Sequence, residues 1–271
     1  MKRQITAVLC AAVMLYGMTA CGAEKDSVKV SGTEQTKENV EQAVDDITYR
    51  SKIISLGTYK GLTYRDGSGR IPTDKEVEEE MQAILLWYED GELTDEWVKK
   101  QLGINSVDEF REITRQNLQD VYDRQAWKDA AVELYSAVMD DSEFEMDEAE
   151  VEAQRDDFIA VYKQMAEALN ASYEQYVSDE TGMTVEKFEK TAEESAEQAI
   201  KAELVAAAVE KAEKIDVMGS YDEAAGQIAE EEGFDSAEEL EKNSGGRTKV
   251  LEEVRYRMIA QFLMDEGIAL K

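Results

Sequence analysis

Proline occurs once in this chain, at position 72, and the sequence downstream of it reads almost continuously as helix. A proline ring removes a backbone donor and clashes with the preceding turn, so its absence leaves long 3.6-residue periodicities unbroken. Helix starts are marked repeatedly. Thr73 with Glu76, Ser106 with Glu109, Ser220 with Glu223 and Ser236 with Glu239 each fit the capping box, in which a hydroxyl and a carboxylate satisfy exposed helix-start amides reciprocally. The pattern predicts helices near 73–89, 94–101, 107–139, 147–178, 184–214, 221–232, 236–242 and 248–267. Three of them run to about 30 residues, roughly 45 Å at 1.5 Å per residue. Rods of that length are expected to stay splayed, in an elongated arrangement, because a compact sphere cannot wrap them.

Each long helix carries an apolar stripe. The first runs from Phe110 through Ile113, Leu118, Val121, Trp127 and Leu134 to Val138. The second runs from Val151 through Phe158, Tyr162, Met165 and Leu169 to Tyr173 and Tyr176. The third, from Val185 through Ala192, Ala196, Ile200, Leu204, Ala207 and Ala208 to Ile215, is rich in alanine. Small side chains let helices approach closely, so this helix is expected to lie centrally. Ahead of Pro72, the segments Ile53-Ile54-Ser55-Leu56 and Tyr59 to Tyr64 favour β structure. The fold class is therefore mainly α, with a short β segment near the N-terminus.

Composition removes several functions. The formal charge is −31, with 61 acids against 30 basic residues; a chain so acidic repels nucleic acid and anionic bilayers alike. There is no histidine and there are two cysteines, Cys10 and Cys21. Histidine-based acid–base, nucleophilic and metal chemistry is thereby excluded. The expectation is no catalytic residue, no metal and no cofactor.

The N-terminus has the layout of a secretory signal. Lys2 and Arg3 precede an apolar stretch from Ile5 to Met18 that ends in small residues, too short for a bilayer core that needs roughly 20. Met18-Thr19-Ala20-Cys21 resembles a bacterial lipobox, with Met18 where leucine is commoner. The resemblance implies cleavage before Cys21 and acylation of its thiol, which places the protein outside the cytoplasm, lipid-anchored to the bacterial cell membrane. From Gly22 to about Val44 the sequence is polar, charged and without periodicity, as in a disordered tether, whose 23 or so residues would span on the order of 25 Å. The expected organisation is a signal peptide over 1–20, an acylated cysteine and tether over 21–50, and a helical domain over 51–271.

"ISLGTYKGLTYR" followed by "PTDKEVEEEMQAIL" resembles the segment where trigger factor leaves its ribosome-binding domain and enters the linker helix of its C-terminal domain. "GELTDEWVKKQLGINSVDEFREITRQNL" is similar to the stretch that re-enters that domain. "TVEKFEKTAEESAEQAIKAELVAAAVEKAEKIDV" resembles its long arm helices. The resemblance spans roughly residues 53–268 and implies the helical chaperone cradle that trigger factor shares with SurA-type and PrsA-type proteins. Two departures matter. Only "LWYEDGE", Leu86 to Glu92, stands where the family inserts a peptidyl-prolyl isomerase domain, and there is no ribosome-docking loop.

The resemblance implies a membrane-anchored holding chaperone for unfolded or newly secreted polypeptides, without isomerase activity, ribosome or nucleic acid as partner, and touching the membrane through its lipid alone. Methionine and aromatic side chains offer adaptable contact surface for such clients. Candidate client-binding residues are Trp87, Tyr88 and Trp97 at the tip where the isomerase would be inserted, and Met165, Tyr173 and Tyr176 along the second long helix. The acidic surface favours clients with basic segments, through an attraction that salt screens beyond about 8 Å. A structural or adaptor lipoprotein with one envelope partner is the alternative; an enzyme using paired carboxylates is a more distant one.

Overall fold

The computed structural model describes residues 49–88 and 91–270. The expected signal peptide, Cys21 and tether lie outside the described residues. The described chain is mainly helical, with nine helices and four short strands, and it divides into two compact units: residues 49–64 with 131–268, and residues 65–130 with 269–270.

The smaller unit holds helices α1 (Asp74–Leu85) and α2 (Asp95–Gln101) and the first part of α3 (Val107–Asp140). Helix α1 begins with a complete capping box. The Thr73 hydroxyl accepts from the Glu76 amide, and the Glu76 carboxylate accepts from the Thr73 amide at 2.9 Å. The same carboxylate accepts from the Tyr122 hydroxyl at 3.0 Å and pairs with Arg70, whose guanidinium lies 3.9 Å from the Tyr122 ring centre. Held first by the Thr73 amide and hydroxyl, Glu76 falls to about 2. The core consists of Val77, Met81, Val98 and Phe110, positions that repeat with helical spacing on α1 and so face one side.

The larger unit pairs strand β1 (Lys52–Ser55) with β3 (Glu143–Glu145), antiparallel, with Ile53 opposite Phe144 and an irregularity between Ile53 and Ser55. Just beyond, Gly57 permits a close crossing: a Cβ there would lie 2.7 Å from the Asp141 backbone. Strands β2 (Thr63–Arg65) and β4 (Ile268–Leu270) form a second pair. The Tyr-Lys-Gly-Leu turn between β1 and β2 is fastened to α6 (Val185–Glu213), with the Tyr59 hydroxyl and Lys60 ammonium both 2.8 Å from Glu213.

Helix α6 is the centre of this unit, as its alanine content predicts. Leu204, Val205, Ala206, Ala207, Ala208 and Val209 are all buried, on every side of the helix. Against it pack α4 (Glu148–Ala168), α5 (Tyr173–Thr181) and α9 (Arg247–Asp265), while α7 (Val217–Glu232) and α8 (Ala237–Asn243) pack on α9 and on each other. Ile159, Tyr162, Val177, Phe188 and Ala192 build one core cluster. Val217, Tyr221, Ala225, Ile228, Leu240, Val250 and Val254 belong to another. The buried guanidinium of Arg255, 4% exposed, ties α9 to α6 through a 2.6 Å bond to Glu210.

Several elements differ from the sequence expectation. The helix expected over 147–178 is two helices, because Asn170 takes a left-handed conformation (φ 55°) and the Ser172 hydroxyl caps a new start by accepting from Gln175 at 3.1 Å. The helix expected from 221 begins at Val217, where Asp216 accepts from the Gly219 amide at 2.8 Å. Ser220 is therefore inside the helix and forms no box with Glu223. Ser106 and Ser236 do cap, but Glu109 and Glu239 reach one residue further back, to the amides of Asn105 and Asp235. The three-residue strands β3 and β4 have no counterpart in the expectation.

Candidate functional site

In the smaller unit, α1 ends at Leu85, and the next two side chains, Leu86 and Trp87, are each 87% exposed. Their neighbours turn inward. Leu85 is buried, Tyr88 meets Trp97 edge-on with ring centres 5.1 Å apart, and Trp97 is half-buried against the cluster of Val77, Met81, Val98 and Phe110. The periodicity explains the division: Leu85 continues the Val77–Met81 face, whereas Leu86 and Trp87 fall off it once the helix ends. Of the three residues expected at this tip, Trp87 is presented to solvent, Tyr88 is half-buried, and Trp97 packs on the core. Leu86 was not among the candidates, although an adjacent Leu-Trp pair in so acidic a sequence is a visible signal. Burying such a pair in a partner gains about 25 cal/mol per Å² of apolar surface, a few kcal/mol in all.

In the larger unit, Met165, Tyr173 and Tyr176 are all half-buried where α4, α5 and α6 meet. The Tyr176 hydroxyl donates to the Met165 sulfur at 2.9 Å, and its ring meets Tyr162 at 5.7 Å. Tyr173 packs edge-on against Phe188 at 6.4 Å and lies under the Lys163 ammonium at 5.3 Å. Its hydroxyl is sealed from water without a hydrogen-bond partner, and burial, reinforced by Glu189, pushes it up to about 12. The three residues thus form one aromatic and thioether surface whose inner side is core. Leu169, 66% exposed, stands at the adjoining turn between α4 and α5.

Beside this surface, α4 and α6 enclose an open cleft of about 590 Å³. Its walls alternate in charge, with Arg155, Lys163 and Lys190 among Asp156, Glu189 and Glu193, over Ile159 and Ala160. Arg155 is engaged by Asp156 at 2.8 Å. Among the described residues, no group of three or more Cys, Asp or Glu side chains is placed to hold a metal ion, and no helix is long and apolar enough to cross a membrane.

Comparison with known proteins agrees with this architecture. Residues 106–265 match the family model of the bacterial trigger factor protein C-terminus, a span that begins one residue before α3 and ends with α9. The trigger factor of Agathobacter rectalis is 27% identical over 126 residues, 46% of this chain and 28% of that protein's length. The chain thus covers less than a third of the curated relative that it matches.

Proposed function

We propose, from the premise that this chain belongs to the bacterial trigger factor C-terminus family, that it is a holding chaperone for unfolded polypeptides. The observation that carries the reading is the Leu86–Trp87 pair, two adjacent large apolar side chains more exposed than Ile71, Val121 and Ile113 of the same unit. Exposed apolar surface of this kind marks interaction sites, and one as small as two side chains suits weak, repeated capture of many clients. The Met165–Tyr173–Tyr176 surface offers a second contact of the same chemistry, in which a thioether and amphipathic rings adapt to unrelated sequences. The short link from Leu86 to Glu92 has no room for an isomerase domain, so we assign holding without isomerisation.

The protein as isolated without residues 1–21 should suppress light scattering from a refolding test protein. A Leu86→Ser, Trp87→Ser double variant should suppress it several-fold less while its denaturation midpoint stays within about 0.5 kcal/mol of wild type, since these side chains leave no hole behind. No suppression by the wild-type protein would end the chaperone reading; full suppression by the double variant would move the contact elsewhere.

We further propose that Cys21 is acylated and anchors the protein on the outer face of the cytoplasmic membrane, the acidic stretch after it serving as a leash. The support is the order of Lys2-Arg3, apolar run, Met18-Thr19-Ala20 and cysteine. Cys21→Ala should abolish metabolic labelling by fatty acid and release the protein from the membrane fraction. Retention of both would refute the anchor.

A further inference from the structure

Three cations, Arg155, Lys163 and Lys190, and three carboxylates, Asp156, Glu189 and Glu193, line the cleft between α4 and α6. In a chain whose formal charge is −31, this lining is balanced. An ion of either sign gains little from it, whereas a neutral group with a positive and a negative end gains from both.

The two ends of the cleft differ. At one, Arg155 is held by Asp156 at 2.8 Å and reaches across to Glu193 on α6 at 4.0 Å. At the other, the Lys163 ammonium lies 5.3 Å from the Tyr173 ring centre, and Glu189 follows Phe188, whose ring meets Tyr173 at 6.4 Å. Lys163 and Glu189 line the cleft from opposite banks, yet among the described residues neither side chain has an ion pair or a hydrogen bond. The cation–π contact holds the ammonium without using its three donors. One bank thus offers donors and the other an acceptor, over a floor of Ile159 and Ala160.

The main chain of an unfolded polypeptide has the matching chemistry. Its backbone is neutral, carries a donor and an acceptor at every residue but proline, and when extended turns the N–H and C=O of successive residues to opposite sides. A carbonyl can accept from Lys163 while the amide of the next residue donates to Glu189. Arg155 and Lys163 stand two helical turns apart on α4, roughly 12 Å, which matches about three or four extended residues. We infer that this cleft binds the extended main chain of an unfolded polypeptide, with little regard to its side chains. The inference rests on the chaperone reading and adds to its apolar contacts one that does not depend on client sequence.

NMR titration of the full chain with a capped, uncharged peptide of alternating alanine and serine tests this without a refolding client. The amide signals of Ile159, Ala160 and Glu193 should shift and saturate with a Kd on the order of 1 mM, as suits a few hydrogen bonds. The same peptide N-methylated throughout keeps its side chains and loses its donors, and it should bind about tenfold more weakly. So should the unmodified peptide to a Lys163→Ala, Glu189→Ala double variant, whose cleft remains balanced in charge. No shift at these signals, equal binding of the methylated peptide, or shifts confined to a peptide that bears lysine or glutamate would overturn the inference. Should the double variant not fold, the two peptides on the wild-type chain decide. Suppressed scattering in the refolding test with no peptide shift would overturn the main-chain site and leave the chaperone reading intact; shifts without suppression would do the reverse.

Discussion

Arg255→Ala is expected to cost about 3 to 5 kcal/mol of folding stability, the largest loss foreseen for a single substitution here. Its guanidinium is 4% exposed and holds Glu210 at 2.6 Å between α9 and α6. Truncation strands that carboxylate without its cation and removes the positive charge that most favours the ionised form of Glu203 on α6, so two acids lose by one change. Much of the cost is the penalty of an orphaned charge, so Arg255→Met combined with Glu210→Leu should recover most of it. Trp87, Trp97 and Trp127 all lie in residues 65–130, so near-UV tyrosine dichroism is the probe for the larger unit and tryptophan fluorescence for the smaller. The denaturant midpoint should shift in the tyrosine signal. A cost below about 1 kcal/mol would mean that the pair is solvated and holds nothing together.

Glu203→Gln is expected to act in the opposite direction and to stabilise. The Oε2 of Glu203 on α6 is sealed from solvent without a hydrogen-bond partner, and glutamine replaces the neutral acid with a group of the same shape and charge, so the folded states are nearly equivalent. The difference lies in the unfolded chain, where the carboxyl ionises near 4.5 and the amide never does. Since the folded value is raised to about 8, the contribution of the wild-type group is fully present below pH 4.5 and is lost as pH climbs toward 8, at about 1.4 kcal/mol per unit. The variant should match wild type at pH 4 and exceed it by a few kcal/mol at pH 8. Denaturation curves at those two pH values check this; a pH-independent difference would show that Glu203 is ionised in the folded protein.

The sequence was most legible where local chemistry decides the outcome. Thr73 and Glu76 announce α1 because both capping bonds are made within four residues, and the alanines from Ala192 to Ala208 announce a central helix because only close neighbours can exploit them. Ser220 with Glu223 shows the limit of that reasoning, since Asp216 offers an equally good cap four residues earlier and apolar Val217 and Tyr221 reward the longer helix with burial. Asn170 ends a helix through a left-handed backbone that asparagine tolerates, a cue hidden among helix-favouring neighbours. The strands Glu143–Glu145 and Ile268–Leu270 depend on partners remote in sequence, which local periodicity cannot encode. At the tip, Trp87 was identifiable by type, but that Trp97 faces the core follows from the register of α2. Glu203 was visible in principle as the single acid inside an otherwise apolar run, Ala202 to Val209.

Strand β2 meets β4, and the Leu62 carbonyl accepts from the Ile268 amide at 2.8 Å while Gly61 donates to Glu266 at 2.9 Å. These partners come from opposite ends of the described chain, and the whole smaller unit apart from residues 269–270 is spelled out between them. During amino-first synthesis, residues 65–130 can settle as soon as they emerge, whereas the larger unit remains an unfinished circuit until the segment after α9 arrives. Loop-closure entropy makes that final joining slow relative to helix formation. A protein read as a minder of incomplete chains must itself spend an interval in that condition, with the edge of β2 unpaired.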